Sequence, residues 1–153
     1  MVKIGVISDT HGFIREEVLN NLKDVSVIIH AGDFCSEEIL MELKNIAPVY
    51  GVRGNNDKGS FGESLPKEEL IDINGKYIYV VHDIKDMSIV PESAGVDAVI
   101  YGHSHKHKLE EKNGVLYINP GSAGKRRFKL PITMAYLYLN EEEVESDIVI
   151  ICE

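Results

Sequence analysis

The chain has 153 residues, with 16 Lys+Arg against 25 Asp+Glu, a formal charge of −9 and a pI near 5.1. Hydrophobic residues make up 44% and charged residues 27%, which excludes a disordered chain and suits one domain spanning 1–153. No apolar run approaches the ~20 residues of a membrane-spanning helix. The acidic balance argues against bulk nucleic-acid binding and against an anionic membrane as partner.

The first predicted element is a strand over Val2–Ser8, apolar at nearly every position and so buried on both faces. Its start is too short and too alternating for a secretion signal. Two cysteines, Cys35 and Cys152, cannot form a disulfide scaffold, so a reducing, cytoplasmic setting is expected. Val18, Leu19 and Leu22 give Glu16–Leu22 helical spacing. Val25–Ala31 is a second β-branched run. Ser36 stands as N-cap of a helix over Glu37–Asn45, with Ile39, Leu40 and Leu43 inward. Pro48–Val52 is a third short strand, completing the alternation of a parallel sheet with right-handed crossovers. Gly54–Pro66 reads as a polar, glycine-rich loop. Asn74-Gly75 and Asn113-Gly114 mark hairpins, joining Glu69–Ile73 to Lys76–Val81 and Lys108–Glu111 to Val115–Asn119. Val96–Tyr101 is another buried strand, and Thr133–Leu139 pairs with Glu145–Ile151. This later part reads as mostly antiparallel. Two facing sheets with helices outside would bury all of these runs.

Five strand ends carry unusual residues: Asp9-Thr10-His11, Gly32-Asp33, Gly54-Asn55-Asn56-Asp57, His82 and Gly102-His103-Ser104-His105. Residues i and i+2 of an extended chain point the same way, so Asp9 with His11 and His103 with His105 are expected to converge. Ligand crevices of α/β sheets lie beyond the carboxyl ends of the strands. Four imidazoles, two carboxylates and an amide suit borderline divalent metals better than calcium or magnesium. Seven donors exceed one tetrahedral site. A carboxylate shared between two ions resolves the count, with Asp33 as the natural bridge.

The ordered blocks DTH, GD, GNND, a histidine at position 82 and GHSH resemble the calcineurin-like metallophosphoesterases. The short length and Asn119-Pro120-Gly121-Ser122 are similar to their small YfcE-like phosphodiesterase branch. The resemblance covers essentially the whole chain. It implies a four-layer αββα sandwich of two facing mixed sheets and a two-metal hydrolase. Asp9, His11, Asp33 and His105 would bind one ion, and Asp33, Asn55, His82 and His103 the other. Manganese is the first expectation, with nickel, iron or zinc as alternatives. Two such ions outweigh Asp9, Asp33 and a bridging hydroxide, leaving a cationic site suited to a phosphodiester monoanion. The expected reaction is attack of that hydroxide on the phosphorus of a small phosphodiester. A non-enzymatic scaffold of the same fold and a nucleotide phosphomonoesterase are the alternatives. The complete donor set argues against the first, and short loops against the second.

The sequence departs from the wider family at Asn56, where larger phosphatases carry a histidine, and after His82, where the family's usual second histidine is missing. An amide cannot act as a general acid near neutral pH, so diesters with good leaving groups are expected to react best. Asn56 and Asp57 are the candidate catalytic side chains, and Asn56, Asn119 and Ser122 the candidate substrate contacts. His30 and His107 are read as a packed and a surface residue. Cys35 is read as a small buried hydrophobe. The basic cluster Lys125, Arg126, Arg127 and Lys129 is read as a solvated loop or as a contact for phosphate or a second subunit. Together with Phe61, taken as exposed, it makes a homodimer an expectation.

Overall fold

The computed structural model describes all 153 residues. The elements in chain order are β1 (Val2–Ile7), α1 (Glu16–Asn21), β2 (Val27–His30), α2 (Glu37–Lys44), β3 (Val49–Gly51), α3 (Gly59–Ser64), β4 (Glu68–Ile73), β5 (Lys76–Val81), β6 (Ala98–Ile100), β7 (Lys108–Lys112), β8 (Val115–Asn119), β9 (Ile132–Leu139) and β10 (Val144–Cys152). They form two five-stranded mixed sheets, ordered β10-β9-β1-β2-β3 and β4-β5-β6-β8-β7.

Side-chain alternation explains the layering. Ile4, Val6, Ile29, Ile78, Val80, Ala98, Ile100, Ile118, Ala135 and Leu137 belong to one buried cluster between the sheets. The alternate residues Ile7, Ile28 and Met134 face outward against Val18 and Leu22 of the α1 segment and Ile39 and Leu43 of α2. Fully burying an aliphatic side chain stabilises by ~1.5–3 kcal/mol, so these two layers hold the first sheet in place. The amide of Glu38 donates to Ser36 Oγ at 3.2 Å, the N-cap expected for α2. Both hairpin turns place Asn then Gly at positive φ: Asn74 at 52° and Gly75 at 84°, Asn113 at 52° and Gly114 at 79°. Such paired left-handed residues suit a two-residue hairpin turn.

The second sheet departs from the antiparallel expectation. β5 pairs with β6, and β6 with β8, in parallel. The β5–β6 crossover contains only a 3-10 turn at Ile84–Asp86. Ile84, Met87 and Ile89 nevertheless cover the outer cluster of Tyr79, Val81, Val99 and Tyr117. A crossover without a helix leaves no 3.6-residue periodicity in the sequence. The glycine-rich loop also contains α3, whose Phe61 is half-buried, edge-on to Phe34 at a ring separation of 5.7 Å. Phe61 is therefore not an exposed apolar contact, and that argument for a dimer falls away. The exposed apolar residues include Phe128 and Phe13 instead.

β1, β2 and β3 are parallel in one sheet, as are β5 and β6 in the other. All five of their carboxyl ends lead into the segments that carry the unusual residues, which brings these to one edge of the sandwich.

Candidate metal centre

The loops at that edge are not extended. Asp9, His11, Asp33, Cys35, His103 and His105 all have positive φ, between 48° and 74°. Non-glycine residues in this region are uncommon, and such strain gathers at functional sites. Alternating left-handed residues, rather than an extended run, turn the side chains inward. Neighbouring backbones hold the loops: the amide of His11 donates to the Asp33 carbonyl at 2.9 Å, and that of Asp9 to the Gly32 carbonyl at 3.0 Å.

Asp9 lies at the centre and is fully buried. Its Oδ2 accepts from Ser8 Oγ at 2.7 Å and from the amide of His103 at 3.1 Å. Its Oδ1 has no hydrogen-bond partner, although imidazole nitrogens surround it: His105 Nε2 at 3.4 Å, His11 Nε2 at 3.8 Å and His82 Nε2 at 3.8 Å. A buried, unpartnered carboxylate oxygen costs free energy that a bound cation would recover. Burial works against ionisation of Asp9, but His105 and His11 beside it hold its carboxyl well below the usual carboxylate range.

Two groups of donors share Asp9: Asp9, His11 and His105 on one side, and Asp9, Asp33 and His82 on the other, each with its atoms within 4.8 Å of one another. His11 Nε2 and His105 Nε2 are 3.2 Å apart. Asp33 Oδ2 also faces both groups, at 3.3 Å from His82 Nε2 and 3.6 Å from His11 Nε2. His82 Nδ1 meets the Ala31 carbonyl at 2.7 Å, so that nitrogen carries the proton. Its Nε2 then faces only acceptors, including Asn55 Oδ1 at 3.0 Å. Burial opposes protonation of His82, but Asp33 and Asp9 push its pKa up to about 9. A nitrogen aimed at three oxygens is where a metal ion would displace the Nε2 proton and join them. The donor set therefore fits divalent ions.

Six of the seven expected ligands meet here. His103 stands at the rim, 48% exposed in its side chain, with Nε2 3.7 Å from Asp83 Oδ2. Its ring lies edge-on to His82 at 5.3 Å. Asp83 as its partner was not foreseen, since an acidic residue after a strand carries no distinguishing signal.

Asp57 is buried, and its carboxylate accepts from three backbone amides, Asp33 at 2.9 Å, Gly54 at 2.8 Å and Cys35 at 2.8 Å. It clamps two site loops together, with both oxygens turned to backbone amides. Asn119 donates to the Gly102 carbonyl and Ser104 Oγ and accepts from the amide of Gly121. Ser122 donates to the Asp9 carbonyl at 3.0 Å. Both are buried, and these bonds tie down the His103–His105 and Asp9 loops. Asn56 is exposed; its amide and its Nδ2 donate to the two oxygens of Asp33, at 2.8 and 3.1 Å.

Cys35 is exposed rather than buried, with Sγ 3.5 Å from His11 Nδ1. Partial burial and the charges of Asp33 and Asp57 push its thiol up to about 11, which leaves it a poor nucleophile near neutrality. Arg126 donates to the Leu130 carbonyl and to Cys152 Sγ. The rest of the basic cluster is exposed, as is His107.

His30 is fully buried, and the amide of Gly32 donates to its Nδ1 at 3.1 Å. Its Nε2 therefore carries the proton toward Thr10 Oγ1 at 3.0 Å. Burial pushes its pKa down to about 3, against a reference near 6.5. Between these values the unfolded chain binds a proton that the native chain does not. Its contribution to stability is complete above about pH 6.5 and is lost as the pH falls toward 3. NMR of the ring is expected to show no titration step between about pH 5 and 8; a step near 6.5 would contradict its burial.

A family model described as the calcineurin-like phosphoesterase superfamily domain matches residues 2–142. A probable metallophosphoesterase of Methanothermobacter thermautotrophicus is 34% identical over 158 positions, covering 95% of this chain and 91% of that protein. A phosphodiesterase of Methanocaldococcus jannaschii is 35% identical over 145 positions, covering 78% and 83% of the two chains. Among solved structures, zinc-bound Vps29 of Entamoeba histolytica superposes with a TM-score of 0.76 at 24% identity, over 98% of this chain and 99% of that one, a likeness of fold.

Proposed function

Because this chain belongs to the calcineurin-like phosphoesterase superfamily, we propose that it is a dinuclear, metal-dependent phosphodiesterase acting on small phosphodiesters. The observation that carries the reading is Asp9 Oδ1, buried, unpartnered and ringed by three imidazoles. Asp9, His11, Asp33 and His105 would hold one ion, and Asp33, Asn55, His82 and His103 the other. Divalent ions there would supply acidified water and draw charge from the phosphoryl oxygens.

The chain's own residues do the positioning. The Ala31 carbonyl keeps the proton of His82 on Nδ1 and presents Nε2 to the site. Asn56 grips Asp33 through its amide and Nδ2, leaving one Nδ2 hydrogen for a phosphoryl oxygen. No histidine stands at that position to protonate a leaving alcohol, so the leaving group must depart largely as the anion.

The test is kcat/KM for a series of aryl diesters with the manganese-loaded chain. The rate is expected to rise steeply as the leaving phenol becomes more acidic, with alkyl monoesters turned over slowly. A flat dependence, or monoesters as fast as diesters, would contradict the proposal.

A further inference from the structure

The three imidazoles around Asp9 Oδ1 differ in what holds them from behind. Each turns Nε2 toward that oxygen, so Nδ1 is the outer nitrogen. His82 Nδ1 meets the Ala31 carbonyl at 2.7 Å, and His105 Nδ1 is buried without a partner. The side chains of His82 and His105 are only 6% and 3% exposed, whereas that of His11 is 24% exposed. Packing therefore confines the first two more closely than His11, whose ring is stacked on that of His105 at 5.1 Å.

Behind His11 stands a thiol. Cys35 Sγ lies 3.5 Å from His11 Nδ1 and 3.7 Å from the Asn56 carbonyl, and a thiol can both donate and accept weakly. The backbone aims it there: Cys35 has a φ of 61°, and its amide donates to Asp57 Oδ1 at 2.8 Å. A non-glycine residue in that region is held by the contacts around it. The thiol belongs to neither cluster of metal donors, so it stands beside a ligand and not among the ligands. A ring nitrogen that ligates a metal gives up its proton, so a neutral His11 bound through Nε2 carries its hydrogen on Nδ1. Cys35 Sγ is the acceptor beside that hydrogen.

We infer that Cys35 is a positioning residue of the metal centre: its sulfur accepts the Nδ1–H of His11 and so fixes the tautomer and tilt that present Nε2 to a divalent ion. This rests on the reading of that edge as a metal centre. An observation independent of the cysteine points to an ion at that nitrogen: Asp9 Oδ1, fully buried and unpartnered, lies 3.8 Å from His11 Nε2. The thiol's own hydrogen goes to the Asn56 carbonyl, and Asn56 holds both oxygens of Asp33 through its amide and Nδ2. Cys35 thus ties a ligand of the loop after β1 to the segment that grips Asp33.

The test is manganese affinity, read from the paramagnetic resonance of the free ion, for the parent, Cys35→Ala and Cys35→Asn. Alanine keeps a Cβ on the left-handed backbone and removes the acceptor. Asparagine returns an acceptor oxygen and tolerates that backbone. Cys35→Ala is expected to bind manganese about tenfold more weakly, the low end of the loss when a partner of a metal ligand is removed. Cys35→Asn is expected to recover the parent's affinity. In the cadmium-loaded chain, NMR of the His11 ring is expected to show a slowly exchanging Nδ1–H in the parent and in Cys35→Asn, and a faster one in Cys35→Ala. A role confined to loop packing would leave that signal unmoved. Equal affinity in the parent and Cys35→Ala would overturn the inference, as would failure of Cys35→Asn to recover it. A cadmium resonance displaced toward thiolate ligation in the parent, and not in Cys35→Ala, would also overturn it by making Cys35 a ligand. A parent that binds no divalent ion would reject the metal centre and the inference with it. A parent that binds ions as expected and cleaves no diester would uphold the positioning role and reject the phosphodiesterase reading.

Discussion

Asp33→Asn is expected to lower metal-supported diester hydrolysis by roughly 10³-fold, more than the 10–100-fold typical when only a partner of a metal ligand is changed. Asp33 Oδ2 lies 3.3 Å from His82 Nε2 and 3.6 Å from His11 Nε2, so the substitution removes charge where both groups of donors meet. The shape of the side chain is kept. Asparagine Oδ1 can still accept from the amide of Asn56, as Asp33 Oδ1 does at 2.8 Å. The backbone amide of residue 33 still donates to Asp57. Circular dichroism and a cooperative melt are therefore expected to persist, which separates loss of chemistry from loss of fold. A variant retaining most of its activity would remove Asp33 from the centre.

The second large effect is on stability. Without metal, Asp9 Oδ1 is an unsatisfied buried oxygen. Ions that bind the folded chain and not the unfolded one stabilise by about 2.7 kcal/mol at a hundred times Kd. For a chain of this size that raises Tm by about 5–10 °C. Differential scanning calorimetry of the chelator-stripped chain, with and without manganese, measures it. EDTA should reverse the shift, and an unchanged Tm would contradict a preformed site.

The site's chemistry was legible because it is written at strand ends. Apolar runs that stop abruptly at Asp9, Asp33, His82 and His103 identify both the strands and the edge at which their termini meet, and the Asn-Gly turns mark the hairpins. The geometry inside the loops was not legible. The inward turn at Asp9, His11 and His105 depends on left-handed backbone at non-glycine residues, which the apolar strand pattern does not anticipate. The packing there is also close: a Cβ on Gly102 would run into Ser8 Oγ and Asp9 Oδ2. The same holds for Asn119 and Ser122, whose turn resembles a pocket wall in sequence. In the fold, their side chains are consumed by Gly102, Ser104 and Asp9. Phe61 lies in a segment without apolar periodicity, and only the face of Phe34 explains its burial.

The proposed phosphodiester cleavage at this edge is tested by the initial rate of bis(p-nitrophenyl) phosphate hydrolysis by the chelator-stripped chain before and after manganese is restored, beside Asp33→Asn treated in the same way. Hydrolysis is expected to be absent from the stripped chain, to return with manganese and to stay lost in the variant. Hydrolysis that ignores the metal, or a metal-loaded parent no faster than Asp33→Asn, would contradict it.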